Sequence, residues 1–196
     1  MKKIGITGGI GSGKTYVSSV FTSLGIPVFN ADIEAKRLMV SCENSRNLIK
    51  KEFGEDIYSE KDLNREKLAS IIFNDKSKLQ KLNSLVHPIV KGEFNNWCKR
   101  QTSPYVIKEA AIVFESNSHL ELDAVICVSA PLELRMERLF KRDNSSEKEI
   151  KKRIESQISQ EEKEKLSDYI IINDEKDLLF PKIIKIHEKL INIYLK

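Results

Sequence analysis

Residues 2–21, KKIGITGGIGSGKTYVSSVF, run from a short apolar stretch through a cluster of glycines to one lysine and then a helical pattern. Gly5, Gly8, Gly9, Gly11 and Gly13 are five of the eight glycines in the chain, so backbone freedom is concentrated at one turn. Gly8, Gly13, Lys14 and Thr15 satisfy G-x-x-x-x-G-K-[ST], with Gly8, Gly9, Ile10, Gly11, Ser12 and Gly13 as the loop. Successive backbone N–H groups turn inward around an anion only in conformations that a side chain would block. A helix beginning near Lys14 points its positive end at the same anion. A glycine turn that merely joins a strand to a helix is the simpler alternative. Against it stand the apolar run before the loop and Val17, Val20, Phe21 and Leu24 at helical spacing after it. The stretch therefore predicts a cradle for a nucleoside triphosphate, with Lys14 on the β- and γ-phosphates and the Thr15 hydroxyl on Mg²⁺.

Short apolar runs alternate with longer helical patterns along the rest of the chain, the mark of an α/β protein with a mostly parallel sheet. The strand candidates are 3–7, 27–30, 105–109, 124–129 and 169–173, giving a five-stranded sheet. Several are continuously apolar, as strands covered on both faces should be. About 75 residues separate the second and third candidates, more than one crossover helix needs, and their pattern is helical. Leu48, Ile49 and Phe53, then Leu68, Ile71 and Ile72, then Leu79, Leu82, Leu85, Val86, Ile89 and Val90 mark an inserted helical lobe. Asp75 and Ser77 both qualify as the cap of its longest helix. Residues 144–168 are dense in charge, and Ile150, Ile154 and Ile158 predict one narrow apolar stripe on an otherwise wet, weakly anchored helix. Leu179, Ile183, Ile186, Leu190 and Ile193 or Tyr194 predict a packing helix, with Pro181 tolerated near its start.

The 196 residues suit one substantial core with a smaller lobe, and the net charge of +4 is interspersed along the chain. Cys42, Cys98 and Cys127 are three widely spaced cysteines without a C-x-x-C pair, which argues against a disulfide framework or a zinc site. The N-terminal residues lack the apolar run of a signal sequence, and no segment approaches the roughly 20 apolar residues of a membrane span. A cytoplasmic protein with no membrane or nucleic-acid partner is expected.

The guanine-reading N-K-x-D and the D-x-x-G switch are both missing from the sequence, which leaves adenine nucleotides. A kinase also needs a group to orient the acceptor hydroxyl and cations to neutralise the moving phosphoryl group. Asp32, just after the second strand, is one candidate for the first role, since adjacent parallel strands share a carboxyl-end rim. It is equally placed to cap a helix carrying Ile33, Ala35, Leu38 and Met39. Arg138 and Arg142 are four residues apart and would share a helix face, as catalytic cations or as ordinary surface arginines.

Over nearly its whole length the chain resembles the dephospho-coenzyme A kinase family. GITGGIGSGKT, NADIEAKRL, LNREKLASIIFND, LNSLVHP, EAAIVFE, RMERLFKRD, RIESQ and SDYIIIND match that family's segments in order and spacing. The resemblance implies a P-loop NTPase-type three-layer fold with a five-stranded parallel sheet, built on a core of 1–30, 104–134 and 167–196. It further implies a helical substrate lobe at about 31–103 and a helical lid at about 135–166. It implies ATP, with Mg²⁺, as donor and the ribose 3′-hydroxyl of dephospho-CoA as acceptor. Asp32, Lys14 and Arg142 take the catalytic roles. The loop residues with Thr15, Tyr16, Arg138, Arg142 and Asn173 hold ATP, and Thr15 binds the metal. Thr7, Asp32, Arg65, His87 and Glu115 receive the acceptor, with Glu109 or Glu115 near the metal shell or substrate. Two positions depart from the family pattern, Asn30 where it has Asp and Ala111 where it has Pro. A different small-molecule P-loop kinase, such as one for nucleoside monophosphates, and a nucleotide-sensing module are the alternatives.

Overall fold

The computed structural model describes residues 1–59, 62–72, 75–143 and 146–194. The strands are β1 (Lys2–Thr7), β2 (Val28–Asn30), β3 (Tyr105–Glu109), β4 (Ala124–Ser129) and β5 (Tyr169–Ile172). The α-helices are α1 (Lys14–Ser23), α2 (Ala31–Ser41), α3 (Glu43–Phe53), α4 (Arg65–Ile72), α5 (Lys76–Cys98), α6 (Leu132–Asp143), α7 (Glu147–Glu155), α8 (Gln160–Lys165) and α9 (Leu179–Tyr194). They form two compact units, Met1–Asn30 with Gln101–Lys196, and Ala31–Arg100.

In the first unit the strands form one sheet in the order β2-β3-β1-β4-β5, every pair parallel. Alternate residues Ile4, Ile6, Tyr105, Ile107, Ile126, Val128 and Ile171 pack with Val17 and Phe21 of α1 and Ile183, Ile186 and Leu190 of α9. Each such burial stabilises by about 1.5–3 kcal/mol. Val106, Val125 and Cys127, pointing to the opposite face, are buried as well, so the central strands read as continuous apolar runs. Burial pushes the Cys127 thiol up to about 11, and all three cysteines are free. β5 departs from this rule because it is an edge strand, with Ile170 46% and Ile172 51% exposed.

The charged stretch departs further from expectation. Asn144 and Ser145 lie outside the described residues, and beyond them the chain forms two helices, α7 and α8, with Ile158 between them. Two capping boxes set the starts, Ser146 with Glu149 and Ser159 with Glu162, so the hydrogen-bonding preference of each serine wins over the four-residue stripe. α8 is firmly anchored, since Lys163 is fully buried. The segment expected as a lid belongs to the same compact unit as the sheet. α9 carries Pro181 as its third residue, where the missing N–H costs no helical bond. The side chains of Ile193 and Tyr194 lie outside the described residues.

In the second unit α5 runs for 23 residues, and Asp75 rather than Ser77 caps it, accepting from the backbone N–H of Ser77 and Lys78. Leu82, Val86, Val90 and Phe94 form the buried stripe of α5, with Leu38, Ile49 and Leu68 buried on the other helices of this unit. Among the described residues, no helix is long and apolar enough to cross a membrane.

Candidate active site

The loop after β1 is built on positive φ. Gly8, Gly11 and Gly13 have φ of 146°, 82° and 94°. A Cβ on Gly8 would overlap the Val128 carbonyl oxygen, which is backbone, whereas one on Gly13 would have to displace the Asn173 side-chain amide. Gly13 is also the N-cap of α1 and no side chain caps that helix, so its first N–H groups face an incoming anion. The Lys14 ammonium curls back onto the loop, donating to Gly8 O at 2.9 Å and Gly9 O at 3.2 Å. Ser12 Oγ is buried without a hydrogen-bond partner among the described residues. A concave backbone with a buried ammonium and an unpaired hydroxyl suits a phosphate chain.

One residue past the loop lysine, the Thr15 hydroxyl donates to Glu109 Oε1 at 2.8 Å. Glu109 ends β3 and is buried. A hydroxyl and a carboxylate, both hard oxygen donors, fit Mg²⁺, which prefers one or two protein ligands completed by water and phosphate oxygens. No cluster of three or more His, Cys, Asp or Glu side chains able to hold a metal ion occurs among the described residues. Glu115 sits apart, its Oε1 paired with Lys163 Nζ at 3.0 Å and accepting from the Ile158 N–H at 3.1 Å, while its Oε2 is buried without a partner among the described residues. Thr7 is fully buried at the end of β1, and its hydroxyl donates to Ala111 O at 3.4 Å.

The far side of the loop meets residues from the C-terminal half of the chain. Asn173, directly after β5, donates from Nδ2 to Ser12 O at 2.8 Å. Arg138 on α6 donates to Gly11 O at 3.3 Å, Ser12 O at 3.4 Å and Asn173 Oδ1 at 3.2 Å, and pairs with Glu175 at 2.8 Å. Arg142 is not at the loop carbonyls with it. Its guanidinium makes two bonds to Asp143, at 2.6 and 2.9 Å, with Arg153 on the same carboxylate at 2.8 Å. Tyr16 is exposed.

Three contacts escaped sequence reasoning. Arg135 donates from Nε to Ile10 O at 3.0 Å, and Gln157 and Gln160 accept from the N–H groups of Ile10 and Gly9 at 3.3 and 2.8 Å. Nothing in periodicity distinguishes these side chains from the solvated ones beside them.

In the second unit, Asp32 is an exposed residue in the first turn of α2, one place inside the helix rather than at its cap. Arg65 opens α4 and is exposed. His87 is half-buried within α5, just before Pro88.

The parallel sheet with a glycine loop after its central strand, Lys14 and Thr15 following, defines the P-loop class of nucleotide-binding folds. Comparison narrows the class. A family model described as dephospho-CoA kinase matches residues 2–178, and the chain belongs to that family. A dephospho-CoA kinase of Bacteroides fragilis is 40% identical over 185 residues, covering 94% of this chain and 90% of its own length. A solved structure of Thermus thermophilus TT1252 superposes with a TM-score of 0.85 at 32% identity, covering 96% of each chain. A dephospho-CoA kinase structure from Campylobacter jejuni gives a TM-score of 0.67 at 27% identity, again over 96% of both chains.

Proposed function

We propose that this chain transfers the γ-phosphoryl group of ATP to the ribose 3′-hydroxyl of dephospho-CoA, giving coenzyme A and ADP. Family membership makes it an ATP-dependent kinase of coenzyme A biosynthesis with dephospho-CoA as acceptor. The observation that carries the reading within the fold is the Thr15–Glu109 contact beside the glycine loop.

Lys14 exchanges the carbonyls of Gly8 and Gly9 for β- and γ-phosphate oxygens, placing its charge where negative charge is greatest. Arg138 and Asn173, already on the loop, hold the nucleotide end, and the exposed Tyr16 of α1 adds to that end. Thr15 and Glu109 would hold Mg²⁺, which when bound would neutralise charge on the phosphates. Arg142 adds its charge to the transferring group by leaving Asp143. Asp32 aims the acceptor hydroxyl. In a loose phosphoryl-transfer transition state the nucleophile needs little early activation. Orientation therefore dominates, with proton acceptance late in a loose transition state. Arg65, His87 and Glu115 receive other parts of the acceptor, whereas Thr7, expected there as well, is fully buried.

A coupled ADP-release assay with and without dephospho-CoA, followed by product mass and location of the added phosphate, tests this. ADP release that rises with AMP, CMP or shikimate and not with dephospho-CoA refutes it.

A further inference from the structure

α8 has six residues, QEEKEK, and none is apolar. Hydrophobic burial therefore cannot explain why it is anchored. Three of its side chains, at spacings of three and four, reach the ends of three adjacent strands or the segments just beyond them. Gln160 Oε1 accepts from the Gly9 N–H at 2.8 Å, in the nucleotide loop after β1. Lys163 Nζ donates to Ala111 O at 2.5 Å and pairs with Glu115 Oε1 at 3.0 Å, both after β3. Glu164 Oε1 accepts from Ser129 Oγ at 2.5 Å, at the end of β4.

The contacts have an internal order. Gln160 Nε2 donates to Glu164 Oε1 at 3.2 Å, so the carboxylate fixes which end of the amide faces the loop and leaves the carbonyl for Gly9. Lys163 is fully buried, and burial lowers its pKa while Glu115 opposes the shift. Burying an ion pair is weak evidence of added stability, because desolvation offsets much of the attraction. What the arrangement does provide is register between chain segments. The strand order β3-β1-β4 sets the segments after β1 and β3 side by side at the carboxyl ends, where ligands of open α/β sheets bind.

We propose that α8 is a strut that fixes the nucleotide loop relative to the segment after β3, and that Gln160 and Lys163 are positioning residues for phosphoryl transfer. The Gln160 end holds the Gly9 peptide in its nucleotide-receiving orientation before ATP arrives. The Lys163 end holds Ala111 and Glu115, two and six residues beyond Glu109. The catalytic effect rests on the kinase reading above, whereas the effect on nucleotide affinity does not. A misplacement of about 1 Å at such a site costs about a hundredfold in rate.

The test combines equilibrium binding of a non-hydrolysable ATP analogue, steady-state kinetics with dephospho-CoA and thermal unfolding, on Gln160→Ala, Lys163→Met and Lys163→Arg. Gln160→Ala should weaken analogue binding about five- to tenfold with a melting midpoint within about 3 °C of wild type. Lys163→Met should lower kcat at least about tenfold below its melting range. Lys163→Arg keeps donors for Ala111 O and Glu115 and should recover kcat to within about threefold. A folded Gln160→Ala with analogue affinity and kcat both within about twofold of wild type overturns the strut. A folded Lys163→Met with unchanged kcat does the same, and if that variant fails to fold, Gln160→Ala decides alone. Wild-type protein that binds the analogue but releases no ADP in response to dephospho-CoA defeats the kinase reading instead, leaving the affinity of Gln160→Ala to judge the strut.

Discussion

The Thr15 hydroxyl donates to Glu109 Oε1 across 2.8 Å, joining the first turn of α1 to the carboxyl end of β3. If this pair holds the metal, Glu109→Gln removes the charge that attracts it while keeping the shape. The Mg²⁺ concentration for half-maximal rate should rise at least about tenfold, and Thr15→Val should act in the same direction. A magnesium titration of turnover checks both, and chelation of the metal should abolish turnover of the wild type.

If Asp32 aims the acceptor hydroxyl as proposed, Asp32→Asn keeps the size of the side chain while removing its charge and its capacity to take the hydroxyl proton. It should lower kcat by about 10²–10⁴ while ATP-analogue binding stays within about threefold. Near-normal turnover would remove Asp32 from the mechanism.

Arg138 and Arg142, two of the three arginines of α6, should differ. Arg138 already bonds the carbonyls of Gly11 and Ser12, so Arg138→Ala should weaken nucleotide binding at least about tenfold. Arg142 is paired with Asp143, so Arg142→Ala should leave ground-state binding nearly unchanged and act on kcat. Isothermal titration with the ATP analogue beside steady-state rates separates the two effects.

Gly13 combines φ of 94° with a site that the Asn173 amide occupies. Gly13→Ala forces backbone strain of about 1–3 kcal/mol and in addition displaces Asn173 from Ser12 O. Its melting midpoint should drop by several degrees and nucleotide binding should fall below detection at millimolar ATP. Unchanged binding would mean that the loop tolerates a different path.

His187 supplies a pH dependence of stability. Its Nδ1 lies 2.7 Å from Tyr105 Oη, and burial lowers its pKa below the usual histidine value, with Glu188 opposing the shift. The unfolded chain takes up a proton near pH 6.5 and the native state resists it, so stability falls as pH drops from about 7 toward 5.5. Asp123 and Asp143 are held below the usual carboxylate range by their hydrogen bonds and nearby cations, so their contributions persist until pH falls below about 4. His187→Gln keeps a hydrogen-bonding group and does not titrate. Melting midpoints measured between pH 5.5 and 7.5 should vary less in this variant than in wild type.

Much of the core was legible because its signals are local. β3 and β4 have the bounds that their apolar runs predict, and Gly8, Gly11 and Gly13 of the loop stand where positive φ requires them. The capping boxes at Ser146 and Ser159 were also present in sequence, yet the repeat Ile150, Ile154, Ile158 points to one continuous helix. Both signals are local, and the serine caps prevail because each satisfies backbone N–H groups at a helix start, leaving Ile158 in the junction.

From its residues alone, this chain determined an α/β core, a phosphate cradle and membership of a kinase family, because strand runs, glycine placement and motif order are properties of neighbouring residues. Tertiary structure decided which of two nearby acids meets Thr15 and which meets Lys163, that Arg138 rather than Arg142 touches the loop, and that a helix without an apolar side chain is fastened to three strand ends. Those outcomes depend on strand order and on partners dozens of residues away, and a polar side chain carries no mark of which distant group will satisfy it.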